Sequence, residues 1–479
     1  MPIVASSTKR LRKRRRRPRL LTWAIFLVLI GTLTSMMFGL TIMMHYRLTS
    51  SSSSQLQQQK TSSLVVKTPQ EVQEERKRKQ EILKSSKSLS SKQFLKQSLF
   101  SNDATTKAEQ VVVKDHKGNI VHKEIHSVTL DDLKGLKLNL PDNIQNITME
   151  EAIKGRETIV NTLKDAGVDN MEVGAVLALP KWSEVTQLYG KNGPVVIGLD
   201  TCERFRNTVS TEEASIGIAG MFNTGTNPLN MYLGSNCIMP HISKKADRYG
   251  GMRFQVPWGK HTPASRKWTN TASKDGKVNK TAVLPVIMTR DPFTWMQSMC
   301  KHPYAAYWGT RGYMEHCPGL VPNEKDKERG HSGQHNGTSF DVTVKYKPPI
   351  RYESLAHYWS KWHWEYVEAD YPRLIVRFED LQFHPRELVD VICQCAGGVA
   401  RNDAGAFTYV VDSAKSFGPG HGPQKAEKTN MITGMIKYGT GANRRNKLSK
   451  EDLDYAAKHF DPELMSLFEY TLPPPIPEQ

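Results

Sequence analysis

Charged side chains are absent from Leu20 to Met44, an unbroken apolar stretch rich in Leu, Ile, Met and Phe. At ~1.5 Å per residue a helix of that length spans roughly 37 Å, more than a ~30 Å hydrocarbon core. The pattern predicts a transmembrane signal-anchor helix over residues 20–44. A cleaved leader would have a shorter apolar core, ~7–15 residues, and a small-residue cleavage site. Residues 45–105 are dominated by Ser, Gln, Lys and Glu. Runs such as Ser50–Ser54 and Glu74–Lys79 cannot bury a core, so a flexible stem is expected. Residues 106–190 read as an accessory segment. Gln110–Val113 and Asn119–Val121 flank Lys117-Gly118 as in a hairpin, and Thr148-Met-Glu-Glu151 is a capping-box start for a helix reaching about Lys164.

Beyond residue 190 the pattern changes to that of a folded domain, expected over 191–479. Three short apolar runs, Ala214–Ala219, Val283–Thr289 and Leu374–Phe378, read as buried strands. Between them apolar positions recur at helical spacing. Arg351–Tyr371 is an aromatic-rich helix, and Leu388, Val389 and Ile392 mark a helix from His384-Pro385 to about Ala396. Leu453, Ala456, Ala457 and Phe460 are the inward positions of a later amphipathic helix. The fold class is α/β, with a central parallel sheet flanked by helices.

Charge gives this pattern an orientation. Lys9, Arg10, Arg12–Arg17 and Arg19 precede the apolar span and only Arg47 closely follows it, so residues 1–19 form a cytosolic basic tail and the remainder is lumenal. Ten of the net +18 charges lie before residue 48. The folded part is therefore only mildly basic, which suits an anionic ligand and does not call for nucleic acid. All six cysteines (Cys202, Cys237, Cys300, Cys317, Cys393, Cys395) fall on the side that this topology makes oxidising, and disulfides are expected. Sequence does not choose among their pairings; Cys300 with Cys317 is preferred because it ties one loop. Asn146, Asn279 and Asn336 begin glycosylation triplets.

Candidate chemistry begins where the first strand ends. Gly220-Met-Phe-Asn-Thr-Gly-Thr226 is a glycine turn, after which Asn227 suits a helix N-cap and Pro228 the first turn. Strand, glycine turn and helix together aim backbone N–H groups and a positive helix end at an anion. Gly220 and Gly225 have nucleoside-triphosphate-loop spacing, but Thr226 and Asn227 stand where that loop has Lys and Ser/Thr. A phosphate ligand handled without a metal is expected. At the second strand's end Arg290 is followed by Asp291, a helix cap, and Ser298 lies two turns on. Arg290 and Ser298 could reach one phosphate.

Strand–glycine loop–helix, then TRDPFTWMQS, then LIVRFEDLQFHPRELVDVIC resembles the membrane-bound, Golgi-type sulfotransferase family over roughly residues 212–470. The resemblance implies a P-loop-like sulfotransferase fold and a sulfuryl donor, 3′-phosphoadenosine 5′-phosphosulfate (PAPS), used as co-substrate without metal. It implies that Asn223, Thr224, Gly225, Thr226 and Asn227 cradle the 5′-phosphosulfate, that Arg290 and Ser298 hold the 3′-phosphate, and that Arg444 and Arg445 cover the nucleotide from a basic C-terminal loop. The Arg377-Phe-Glu-Asp-Leu381 stretch corresponds to a structural marker. The acceptor would be a glycan or glycoconjugate. One departure stands out: Asn223 occupies the place of the family's usual loop Lys or Arg. Lys260 is the candidate replacement cation and His261 the candidate base, and both can serve only if Trp258-Gly259 turns the chain. Two other readings stay open. A type II glycosyltransferase shares the anchor and stem, but the one D-x-D beyond the membrane is Asp452-Leu-Asp454, inside the amphipathic helix. A non-catalytic nucleotide- or glycan-binding protein is made credible by Asn223.

Overall fold

The computed structural model describes residues 127–473 apart from 134–135, 137, 139, 191, 241–251, 273–275, 309–318, 329–337, 402–406, 412–429 and 447, together with 77–78 and 80–81. The expected membrane span, the stem apart from 77–78 and 80–81, the 110–121 hairpin, Cys317 and Asn336 lie outside the described residues. Among the described residues no helix is long and apolar enough to cross a membrane.

A mixed five-stranded sheet forms the centre. In chain order its strands are β1 (Val196–Ile197), β2 (Ser215–Gly220), β3 (Met252–Arg253), β4 (Val283–Thr289) and β5 (Leu374–Arg377). Their spatial order is β1-β5-β4-β2-β3. The four strands β5, β4, β2 and β3 run parallel, and β1 pairs antiparallel with β5. Every residue of β4 is buried, as a strand covered on both faces requires, which is why these runs read as continuous rather than alternating. The register pairs Gly220 with Met288 and Thr289 with Arg377, so the ends of the three predicted strands finish together along one edge.

Helices cover this sheet: α1 (Thr226–Asn236), α2 (Pro292–Lys301), α3 (Leu355–Val367), α4 (Phe378–Phe383), α5 (Pro385–Cys395), α6 (Met431–Gly439) and α7 (Lys450–His459). The aromatic helix α3 is core: Tyr358, Trp359, Trp362, His363 and Tyr366 are all buried. In α7, Leu453, Ala456 and Phe460 are buried as expected, whereas Ala457 faces solvent. The region expected to be a basic C-terminal loop contains the buried helix α6, whose start Asn430 caps by accepting from the Thr433 N–H. The expected helix from Thr148 to Lys164 is two helices, Met149–Ile153 and Glu157–Asp165. Its capping box is present, but Gly155 adopts φ +79° and breaks the run. Val128, Leu163, Val185 and Tyr189 of this segment join the same core as the sheet.

Two disulfides, Cys202–Cys395 and Cys237–Cys393, tie α5 to the chain before β2 and to the end of α1. Cys300 is also disulfide-bonded. The triplet residues Asn146 and Asn279 are exposed.

Candidate functional site

The glycine turn sits at the C-terminal end of β2. Its last strand residue, Gly220, is hemmed in, since a Cβ there would meet Thr224 Oγ1 at 2.6 Å and the Met288 carbonyl at 2.8 Å. Thr224 is buried and donates to the Met221 carbonyl (2.9 Å), closing the turn internally. Gly225 adopts φ +90° and its Cα faces the Phe378 ring, so no side chain fits there. This left-handed residue, not Asn227, is the N-cap of α1, and the helix begins one residue before the expected N-cap, at Thr226. Among the described residues no group accepts from the backbone N–H of Thr224, Gly225, Thr226 or Asn227. Four donors and a helix end therefore lie together at one place, the start of α1.

Asn223 does not face that point with its side chain. Its amide donates to the His302 carbonyl (2.7 Å) and lies 3.3 Å from Met299 Sδ, fastening the turn to the end of α2. Its φ of +64° is a left-handed conformation that asparagine tolerates better than most residues. Local backbone geometry thus accounts for Asn at a position where the resemblance leads one to expect a cation.

A buried cation, Lys260, follows the neighbouring strand. After β3 the chain continues beside β2, with the Val256 N–H donating to the Ile218 carbonyl (3.0 Å). Gly259, at φ +109°, then turns it: its N–H reaches the Val256 carbonyl (2.9 Å) and its own carbonyl accepts from Thr262 (3.1 Å). This is the turn that Lys260 and His261 need in order to face the same place. The backbone of Lys260 accepts from the Gly220 N–H (2.9 Å), and His261 Nδ1 lies 2.7 Å from the Gly220 carbonyl. The ammonium of Lys260 donates to Asn227 Oδ1 (2.8 Å) and lies 3.2 Å from the centre of the Phe254 ring. Burial lowers the Lys260 pKa to about 7. Burial, with a smaller contribution from Lys260, lowers that of His261 to about 4. His261 is therefore neutral near pH 7; with Nδ1–H donating to Gly220, its Nε2 is the acceptor.

Arg290 closes a third side. It is buried, and its guanidinium donates to Thr294 Oγ1 (3.1 Å), the Asn223 carbonyl (2.9 Å) and Tyr438 OH (2.9 Å). Ser298 lies one turn past Thr294 on α2 and donates to the Thr294 carbonyl (3.2 Å). Asp291 caps α2 as expected, accepting from the Thr294 N–H (2.9 Å). Its other oxygen is 2.8 Å from Arg444, which is buried and donates also to Thr471. The expectation that Arg444 covers a nucleotide does not fit: its charge is matched by Asp291 inside the core. Arg445 follows it, half-buried, at the end of the same turn.

Beneath these residues the Arg377–Asp380 pair is buried and bidentate (2.7 and 2.6 Å), and Arg377 also donates to the carbonyls of Tyr189 and Phe468. Glu379 accepts from the Asp291 N–H (3.1 Å) and from Tyr470 OH (2.8 Å). Burial, then the nearby Asp291 carboxylate, raises its pKa to about 7. The stretch is a structural clamp joining the ends of β4 and β5.

The structure thus brings together Asn223–Asn227, Lys260, His261 and Arg290 and keeps Arg444 apart. Sequence reasoning missed Tyr438, Phe254, Phe222 and Tyr304. Phe222 packs on His261 (4.5 Å between ring centres) and stacks on Tyr304 (5.6 Å). Tyr438 and Tyr304 sit in segments without a motif, and only the tertiary fold joins them to the turn. Among the described residues no group of three or more His, Cys, Asp or Glu side chains is placed to hold a metal ion. The D-x-D does not form a ligand pair: Asp452 is buried, accepting from the Leu320 and Val321 N–H groups, and Asp454 bonds Lys450 at the surface. Comparisons with protein-family models, curated proteins and solved structures gave no match.

Proposed function

We propose that this chain is a sulfotransferase that moves the sulfuryl group of PAPS to a carbohydrate hydroxyl, held in the Golgi membrane by residues 20–44 with its folded domain lumenal. The observation that carries this reading is the fixing of Lys260 and His261 on the last residue of β2 and on Asn227, beside four unpaired loop N–H groups. The N–H groups of Thr224–Asn227 fit the 5′-phosphosulfate, and Arg290 with Ser298 are the residues available for the 3′-phosphate. PAPS supplies an activated sulfuryl group. In transfer, the acceptor oxygen forms a bond to sulfur as the sulfur–oxygen bond to the phosphate breaks. His261 Nε2 takes the acceptor proton, and Lys260 offsets the negative charge gathering on the departing phosphate oxygen. The two disulfides support an oxidising compartment. The buried, occupied state of Asp452 counts against a metal-dependent glycosyltransferase.

The test is direct. The full-length chain in detergent is titrated with adenosine 3′,5′-bisphosphate and then incubated with radiolabelled PAPS and a panel of glycans. Nucleotide binding with transfer that falls ~100-fold or more in Lys260→Ala and His261→Ala supports the reading. Binding without transfer to any acceptor supports the non-catalytic alternative, and the absence of binding rejects both.

A further inference from the structure

Beside the candidate site stands a second, three-stranded antiparallel sheet formed by Ala306–Trp308, Val342–Val344 and Ile350–Tyr352. Its register aligns Tyr307, Thr343 and Arg351 across one face. The alternate residues Ala306, Trp308, Val342 and Val344 are buried, so the Tyr307 face is the outer one. The Lys345 ammonium lies 4.1 Å from the centre of the Tyr307 ring. This sheet is attached to the candidate base at one point, where Tyr346 OH donates to the His261 carbonyl (2.8 Å), and its own edge is closed by the Lys345 N–H donating to Ala305 (2.9 Å).

Tyr304 links the two places. It is 46% exposed and holds a left-handed backbone, φ +51°, which costs energy in a bulky residue and persists only where neighbours enforce it. Its ring lies nearly parallel to Phe222, the ring that packs on His261. Three residues of chain, at most about 10 Å, separate Tyr304 from Tyr307.

We propose that Tyr304, Tyr307 and Lys345 form a track that holds an anionic oligosaccharide leading away from His261, a proposal that rests on the sulfotransferase reading. The electron-rich faces of aromatic rings receive the slightly positive C–H faces of pyranoses, and successive rings suit successive sugars. Arg351 is paired with Asp341, and the Lys345 ammonium at the Tyr307 ring places a positive charge beside the aromatic track. An extended peptide would add to a sheet edge through its backbone, whereas here side chains stand out from a sheet face.

The probe is a heparin-derived hexasaccharide, titrated into the full-length chain at about 150 mM salt with neutral maltohexaose as control. The wild type should bind the charged hexasaccharide in preference. Tyr304→Ala and Tyr307→Ala should each weaken it about tenfold, and Tyr304→Trp should keep it. Lys345→Gln should flatten the salt dependence. In transfer assays the Tyr307→Ala KM should rise for a hexasaccharide acceptor and not for a monosaccharide, while affinity for adenosine 3′,5′-bisphosphate stays as in wild type. Unchanged hexasaccharide affinity in Tyr304→Ala and Tyr307→Ala variants that melt like wild type would overturn the track. So would preferential transfer to an acidic tyrosine peptide. A wild type that binds no nucleotide rejects the sulfotransferase reading instead, and the hexasaccharide titration then still decides whether the track binds sugar.

Discussion

Nucleotide binding should pull a proton onto Lys260, and the size of that uptake follows from where the side chain sits. Lys260 is 7% exposed, with its nitrogen between the Asn227 oxygen and the Phe254 ring and no carboxylate bonded to it. Burial brings its pKa to about 7, so at pH 8 about nine-tenths of ligand-free chains carry a neutral amine. A phosphate within ~4 Å favours the charged form and restores the pKa towards its ordinary value. Binding at pH 8 should therefore take up about 0.9 proton, and affinity should fall about 50-fold between pH 7 and 9. Titration calorimetry with adenosine 3′,5′-bisphosphate, run in two buffers of different ionisation enthalpy, reads the uptake. Lys260→Met should bring it close to zero and flatten the pH dependence. The sign for folding is opposite to that of an ion pair. A lysine with a depressed folded pKa lowers stability as pH falls from about 10.5 through 7, so the Met variant should melt no lower than wild type at pH 7. A wild type that binds with the same heat in both buffers refutes the argument.

Four further outcomes are expected. Arg290→Lys should weaken the bisphosphate about tenfold or more, because a lysine cannot reproduce the fork that joins Thr294, Asn223 and Tyr438; calorimetry on a variant with a normal melt reads this. Asp380→Asn strands the buried Arg377 charge and should cost about 3–5 kcal/mol in chemical denaturation. Glu379 has a raised folded pKa, so its contribution is fully present below pH 4.5 and is lost as pH rises through about 7. Thermal melts of Glu379→Gln should accordingly fall less than those of wild type between pH 5 and 7. Cys237→Ser opens a bridge of sequence separation 156 and should lower stability by up to about 5 kcal/mol on chain-entropy grounds, measured under non-reducing conditions.

Much of the frame was legible because it is local. The apolar runs at Ala214, Val283 and Leu374 became strands since burial on both faces leaves a signal that needs no partner to be read. Asp291 and Thr148 cap helices where the sequence put them, through bonds to residues three positions on. The turn at Gly259 was stated as a condition and is present. What failed depended on the fold. Asn227 looked like an N-cap because of its side chain, but the left-handed Gly225, pressed against Phe378, starts the helix first. Arg444 sat in a basic, glycine-rich stretch and looked available, yet a carboxylate 153 residues away takes its charge. Helix α6 was hidden by the glycines around it, and its inward face shows only once α4 and the helix Trp182–Tyr189 are there to cover Met431, Met435 and Ile436.

The positions of Lys260 and Asn223 are two halves of one arrangement. The turn takes a left-handed residue at 223 and ties its amide to the His302 carbonyl, a conformation and a bond that suit asparagine better than a long cation. A buried positive charge, Lys260, stands instead on a strand that runs beside β2, one glycine turn past its end. Holding it costs desolvation of an ammonium, and the surrounding charges are organised to limit that cost elsewhere. Arg290 is bonded three ways, Arg444 is matched by Asp291, and Arg377 by Asp380. Lys260 alone among these buried cations has a neutral oxygen and an aromatic ring rather than a carboxylate or a full set of bonds. A buried cation so weakly compensated gains most when an anion arrives, and the loop N–H groups fix where that anion must sit.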